Sequence, residues 1–336
     1  MTRRHRAIGL VAAAAILVAA VAGAAAGVWT EIRPGSATTV PRLPVLSTGH
    51  VVYDRDFGDP FVLATMQGYV LFGTDDPPDH VPTATSPDLQ TWAPGPDAVP
   101  ALPSWAGPDP DDSLTWAPAA LATPGGYRLY VTVPDAATKR QCIAVLSSPA
   151  PLGPYADVVG HPLVCQVALG GSIDPSVTSD GGRLYLGWKS DGNCCGLPAS
   201  LWAQALRSDG LALTGSPHRL LTADRTWQAG VIENPALLPA SSGWWLFYSG
   251  NRFDNAAYAT GLAWCPSLDG PCRETANRPF LAGNSVDAGQ FAAGGLDFLR
   301  GPGGQVLAAF ATWNRPPRQG RFYCCHSLDI AAVLSH

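Results

Sequence analysis

Five times along the chain a glycine-bounded run sets an apolar side chain at every second place. The runs are GYVLFGT (68–74), GGYRLYVTV (125–133), GGRLYLGWKS (181–190), SGWWLFYSG (242–250) and GGQVLAAFATW (303–313). Alternation over five to nine residues, closed off by Gly, reads as half-buried antiparallel strands. An opening phrase precedes four of them: DPFVLAT from Asp59-Pro60, APAALAT from Ala117-Pro118, DPSVTSD from Asp174-Pro175 and NPALLPA from Asn234-Pro235. The prolines are 58, 57 and 60 residues apart, and a fifth copy without proline begins near Gly289 (GQFAAGGLDFL). A third strand then ends in SPDLQTW, SSPAPLGPY or CPSLDGPC. No segment carries a helical period.

Five such units fill 49–334. A unit of three or four antiparallel strands recurring at this period is a propeller blade. A single blade cannot bury both its faces, whereas five packed radially can, and closing the ring removes the exposed edges. The fold class is therefore all-β, a five-bladed β-propeller over 49–336; a β-sandwich is the alternative, and it gives no reason for the regular period. The 36 Gly and 32 Pro fit a chain of many turns and short strands.

The first 30 residues are different in kind. A basic MTRRHR precedes an apolar run of about 20 residues that ends in small side chains, as a signal peptide or a retained signal anchor does. Either reading puts the body of the protein outside the cytoplasm, secreted or anchored on the outer face of the membrane. Residues 31–48, rich in Pro, Ser and Thr, read as a linker. Eight cysteines in an exported chain suggest disulfides. Cys265 with Cys272 is the natural short pair, Cys142 with Cys165 fits within one repeat, and the doublets Cys194-Cys195 and Cys324-Cys325 could cross-link to each other. No C-x-x-C spacing supports zinc. With a net charge of −5 and only two lysines, Lys139 and Lys189, there is no basic stripe and nucleic acid is not expected as a partner. The membrane enters only through the possible anchor, and nothing in the sequence bears on oligomeric state.

In a propeller the first strand of each blade lines the axis, so the X-Pro dipeptides mark one rim of the central funnel. A proline is tolerated at a strand's first position because no ladder donor is lost there. Blades 1, 3 and 4 each bring an acid to that rim: Asp59, Asp174 and Glu233. An isolated Asp-Pro is most often a turn, and Asp56, Asp75, Asp76, Asp88 and Asp112 read as turn or surface acids for that reason. Equivalent placement in three repeats is what singles out the other three. Converging carboxylates raise the pKa of at least one of them, and one protonated acid beside one ionised acid is what glycosidic cleavage needs. Phe57, Trp116 and Trp227 are candidate sugar-stacking aromatics, and Asn234 and Arg252 candidate hydroxyl or carboxylate binders. HExxH, GxSxG and a phosphate-cradling GxxxxGK[ST] are all absent.

The order Asp-Pro, Ile-Asp-Pro-Ser (173–176) and Glu-x-Pro, with SPDLQTW and TWAPAAL (115–121), resembles glycoside hydrolase family 43 over nearly all of 49–334. The resemblance implies an inverting hydrolase of arabinans, arabinoxylans or xylosides. It implies Asp59 as general base, Glu233 as general acid, and Asp174 as the residue that raises the pKa of Glu233 and orients it. Base and acid would then lie roughly 6.5–9.5 Å apart. Two departures stand out. Asn234 sits between Glu and Pro, where a small residue is usual. Gly289-Gln290 replaces the Gly-His that in family arabinanases meets a calcium or water cluster; Gln290 can offer an oxygen to a hard cation but cannot replace an imidazole. The chemistry requires no cofactor, and a central calcium stays open. The expected partner is a pentose-containing polysaccharide or oligosaccharide, with a non-catalytic glycan-binding propeller and a fructan-acting hydrolase as alternatives.

Overall fold

The computed structural model describes residues 41–47, 49–107, 114–282, 291–313 and 326–334. The expected leader, most of the linker, Asp112, Gln290 and the Cys324-Cys325 doublet lie outside these residues. The described chain forms five antiparallel sheets arranged as a five-bladed β-propeller. Blade 1 holds Phe61–Thr65, Gly68–Phe72, Thr83–Ser86 and Ala93–Pro94. Blade 2 holds Trp116–Thr123, Gly126–Asp135, Arg140–Ser148 and Ala156–Asp157. Blade 3 holds Ser172–Asp180, Arg183–Ser190, Ser200–Leu206 and Leu213–Thr222. Blade 4 holds Ile232–Ala240, Gly243–Gly250, Ala259–Cys265 and Arg273–Glu274, and Leu281–Ala282 also pairs with its third strand. Blade 5 holds Phe291–Arg300, Val306–Trp313 and His326–Leu334.

The ring is closed by the beginning of the propeller chain. Val45–Leu46 and His50–Tyr53 pair antiparallel with His326–Leu334, so the outer edge of blade 5 comes from the other end of the sequence. The tail of the stretch read as linker is thus drawn into the sheet, where Val45 and Leu46 meet Leu334 and Val333. The first strands of blades 1 to 5 touch one another in order, and the fifth touches the first.

The alternation seen in sequence has a different cause from the one expected. The second strands are not half-buried. Their successive side chains enter the two interfaces on either side of the blade. In blade 2, Leu129, Val131 and Val133 join Leu63, Val70 and Phe72 of blade 1, while Tyr130 joins Leu186 and Trp188 of blade 3. In blade 4, Leu246 and Tyr248 face blade 3, and Trp245 and Phe247 face Ala308 and Phe310 of blade 5. Leu299, Leu307 and Leu328 meet Val62 and Leu71 across the closing seam. Period-two packing therefore welds neighbouring blades rather than separating core from solvent.

The sulfurs of Cys142 and Cys165, and those of Cys265 and Cys272, lie within bonding distance, as spacing predicted. The Cys194 sulfur lies within bonding distance of Cys195, its sequence neighbour, in the short turn Gly192–Cys195. That pairing replaces the expected link between the two doublets, because Cys195 is already within reach of its neighbour's sulfur.

Phe72 is wholly buried and meets Tyr155 edge-on, with ring centroids 6.1 Å apart, in the seam between blades 1 and 2. Phe72→Ala is expected to cost about 3–5 kcal/mol, read from urea unfolding. A loss under about 1 kcal/mol would mean that this seam does not carry the ring.

Candidate active site

The first strands of blades 2 to 5 break their pairing at the same place, and in blade 1 the equivalent residue, Asp59, lies just before the strand. Asp59, Ala117, Asp174, Asn234 and Ala292 all adopt left-handed backbone, with φ of 47°, 47°, 55°, 48° and 54°. Register with the second strand shifts across Trp116/Ala119, Ile173/Ser176, Glu233/Ala236 and Phe291/Gly294. These are β-bulges, which re-aim a side chain and bend the strand. Left-handed backbone costs most residues roughly 1–2 kcal/mol, and Asp and Asn bear it best; three of the five are Asp or Asn. The prolines of blades 2 to 4 lie inside their strands rather than at the first residue, because a bulge leaves the following N–H without a ladder partner. The bulge also separates the three acids. Asp59 and Asp174 are left-handed residues themselves, whereas Glu233 comes one place earlier, in line with Trp116 and Ile173, and Asn234 takes the bulge.

Asn234 joins the acids. Its side-chain Nδ2 donates to Asp59 Oδ1 at 3.0 Å, and its backbone N–H donates to Asp174 Oδ2 at 3.0 Å. Its own Oδ1 accepts from the Tyr258 hydroxyl at 2.9 Å. Thr74 completes the hold on Asp59, donating from Oγ1 to Oδ2 at 2.6 Å while accepting the Ala117 N–H at 3.0 Å. Gly295 packs against Asp59 so closely that a Cβ there would sit 3.1 Å from Oδ1. The Asp174 N–H donates to Thr132 Oγ1 at 3.2 Å, which ties blade 3 to blade 2 at the rim. Burial, then the nearby Glu233 and Asp59, keep the Tyr258 phenol protonated, as its donor role requires.

The electrostatic centre is Lys189, on the second strand of blade 3 and 1% exposed. Its Nζ donates to Glu233 Oε2 at 2.9 Å and stands 3.6 Å from Asp191 Oδ1. Burial works against the ammonium, but Glu233, Asp174 and Asp191 outweigh it and hold the Lys189 pKa above its ordinary value. Asp174 moves the other way from most paired acids. Burial pushes its pKa well up, Lys189 and the Asn234 N–H pull it down, and Glu233 and Asp59 push it up again. Burial likewise raises Asp191 against the pull of Lys189. One ammonium thus faces several carboxyls, and burial favours the neutral form of Asp174 and Asp191.

These groups open on a cavity of about 510 Å³ lined by residues of all five blades. Asp59, Asp174, Glu233, Asn234 and Trp116 line it as the sequence suggested. Phe57 and Trp227 do not. Phe57 is buried against Tyr53, and Trp227 stacks on Tyr248, 6.0 Å between centroids, with its ring against Gly250, where a Cβ would collide with it. Arg252 points its guanidinium at Asp254, at 2.6 Å, outside the cavity. The aromatic that does reach the cavity from that loop is Phe253, 58% exposed. Asp56, Asp75 and Asp76, read as turn acids, line the wall built by blade 1; Asp88 keeps its turn role, accepting the Gln90 and Thr91 N–H groups. Lys189, Asp191, Thr74 and Tyr258 escaped the sequence reading. Only Lys189 carried a signal, as one of two lysines lying inside an otherwise apolar strand. On the axis a small cavity of about 30 Å³ is lined by Pro60, Pro118, Pro175, Pro235 and Asp297. Burial lifts the Asp297 carboxyl to about 7 against the pull of the Phe298 N–H.

Among the described residues, ligand-type atoms of Asp135, Cys142 and Cys165 come together. The two sulfurs face each other within bonding distance and Asp135 accepts from Thr138, so the group does not suit a metal ion. Gln290, the residue expected to meet a channel cation, lies outside the described residues.

The described chain is a five-bladed propeller with carboxyl groups gathered in an axial funnel. The glycosyl hydrolases family 43 profile matches residues 48–328, and the chain belongs to that family; it is a glycoside hydrolase. Its fold is similar to that of a thermostable family-43 glycoside hydrolase, at TM-score 0.71 and 20% identity over 89% of this chain and 93% of that one. An endo-arabinase from Bacteroides thetaiotaomicron matches at TM-score 0.67 and 18% identity, over 86% of this chain and 98% of that one. An arabinanase from Bacillus subtilis matches at 0.64 and 19%, over 83% and 95%. No curated protein sequence matches the chain.

Asp174→Asn is expected to stabilise the protein while removing a rim acid. Burial raises the folded pKa above the unfolded one, so ionisation with rising pH weighs on the folded wild type alone. The variant's advantage in melting temperature should be about 2 °C or more at pH 8 and vanish below about pH 4. An advantage that grows toward acid pH would contradict the assignment.

Proposed function

We propose that the protein hydrolyses glycosidic bonds in pentose-containing polysaccharide of the arabinan or arabinoxylan type, by single displacement with inversion. Asp59 is the general base. Thr74 and Asn234 both donate to it, as suits a carboxylate that only accepts, and it takes a proton from the water that attacks the anomeric carbon. Glu233 is the general acid. It gives its proton to the glycosidic oxygen as the carbon–oxygen bond breaks, and exchange with solvent then restores both groups. Asp174, buried and inclined to hold a proton, keeps the cluster protonated and fixes the Asn234 backbone. Lys189 steadies Glu233 through Oε2, which leaves the second carboxyl oxygen for the leaving group.

The observation that carries this reading is the grip of Asn234 on Asp59 and Asp174 in the funnel that Glu233 also lines. It gives the departure from the family's usual small residue a role, which a merely binding propeller does not need. Arabinan enters through the arabinanases among the structural relatives and through the order of rim motifs. Export is part of the same reading, supported by the basic-then-apolar first 30 residues and the paired cysteines.

Incubation with arabinan, arabinoxylan and levan, followed by sugar analysis, is expected to release pentose from one of the first two. Release from levan alone would move the substrate to fructans, and release from none would remove catalysis. Glu233→Gln should lose roughly 10²–10⁴-fold in kcat on the polysaccharide and much less on an activated aryl glycoside, whose leaving group needs little protonation. Equal losses on both would argue against the acid role. Asp59→Asn should be inactive on either substrate; retained turnover would remove it as base.

A further inference from the structure

A second cavity, of about 390 Å³, opens beside the funnel between blades 2 and 3 and shares Trp116, Asp191 and Cys194 with it. It is lined by Lys139 and Arg140, at the hairpin that joins the second and third strands of blade 2. Lys139 is one of the chain's two lysines, and the other is the buried Lys189.

The acids in this groove are already engaged. Asp135 accepts the Thr138 N–H at 2.9 Å and its hydroxyl at 2.6 Å, and Asp191 stands 3.6 Å from the Lys189 ammonium. The cations have no close ion pair: Lys139 and Arg140 act on Asp135 and Asp191 only at longer range. Among the described residues neither Lys139 nor Arg140 has a carboxylate oxygen within 4.0 Å. Arg140 Nη1 meets the Cys195 sulfur at 2.8 Å and the Cys194 sulfur at 3.8 Å. Sulfur is a weak acceptor, so most of the five guanidinium donors stay available.

The funnel wall built by blade 1 has the opposite sign. Asp56, Asp75 and Asp76 line it, and burial, then Asp56 and Asp79, raise the Asp76 carboxyl above its ordinary value. An anionic sugar is thus repelled from one side of the funnel and drawn to the other. Trp116 lines both cavities, where an aromatic side chain is suited to stack on the sugar that links them.

We propose that this groove is a subsite for a uronic acid residue of the glycan, with Arg140 gripping its carboxylate and Lys139 adding charge at the mouth. The proposal rests on the glycosidase reading of the adjoining funnel. A planar guanidinium matches a carboxylate through two parallel hydrogen bonds, which a neutral sugar cannot supply. The chain would then act on acidic, branched glycans in preference to neutral ones.

The test is calorimetric binding in a Glu233→Gln background. The ligands are a xylo-oligosaccharide carrying one glucuronic acid and the same compound with its carboxyl group reduced to the alcohol. The acidic ligand is expected to bind about tenfold more tightly or better, the size of a charge-assisted hydrogen bond. Adding Arg140→Gln should bring the two within about twofold of each other and leave the reduced ligand unchanged, with Lys139→Gln giving a smaller effect in the same direction. Without any further substitution, 0.5 M NaCl should narrow the gap. Equal affinities, a loss on both ligands alike, or no binding of either would overturn the subsite. Wild-type turnover of uronate-free polysaccharide is scored separately. Hydrolysis without acidic preference removes the subsite alone, and acidic preference without hydrolysis removes the catalytic reading alone.

Discussion

The site depends on one backbone constraint, the left-handed residue that interrupts the first strand of blades 2 to 5 and precedes that of blade 1. A regular strand would alternate its side chains between the two blade interfaces and send none down the axis. The left-handed residue breaks that alternation at the rim, and residues 59, 174, 234 and 292 line a common funnel. Asp and Asn hold this conformation at low cost, so the residue types that fit the backbone are also those that can carry the chemistry. Asn234 shows the economy: it satisfies the bulge, binds Asp59 through its side chain and Asp174 through its backbone, and receives Tyr258.

Holding the bulges in register requires a rigid ring. Each second strand places successive side chains in two different interfaces, so every blade is clamped on both faces, and the N-terminal strands close the last seam. Within that frame a lysine can be buried beside several carboxyls. The Lys189–Glu233 pair sits where desolvation is severe, and such a pair persists only when its surroundings fix the geometry. Loss of Lys189 would leave the carboxyls of Glu233, Asp174 and Asp191 without their shared cation, which ties the architecture of blade 3 to the orientation of the acid in blade 4.

Much of this was legible in the sequence, because the repeat is written in local chemistry. Glycine-bounded alternation marked the second strands, X-Pro marked the rim, and three acids recurred at the rim with the spacing of blades. Asn234 looked like a departure when only its size was considered; its role follows from two hydrogen bonds to residues 60 and 175 positions earlier. Nearness to the rim in sequence does not say which face a ring takes, and Trp227 and Phe57 both pack into blade cores. Lys189, Asp191 and Tyr258 lie on second strands or the turns that join them to third strands, where no repeat of residue type announces a role. Their part in the site arises from radial packing, which brings blade 3 beside blade 4. The charge division of the funnel, acidic on blade 1 and cationic between blades 2 and 3, is likewise a product of assembly.

With Asp59 proposed as base and Glu233 as acid, cleavage is a single displacement by water at the anomeric carbon. The most direct measurement is proton NMR of the anomeric signals during the first minutes of hydrolysis of the preferred polysaccharide. The first sugar released is expected to carry the anomeric configuration opposite to that of the bond cleaved, with the other anomer growing in only by mutarotation. A first product with the original configuration would contradict it, since that outcome needs a carboxylate acting as nucleophile rather than as base.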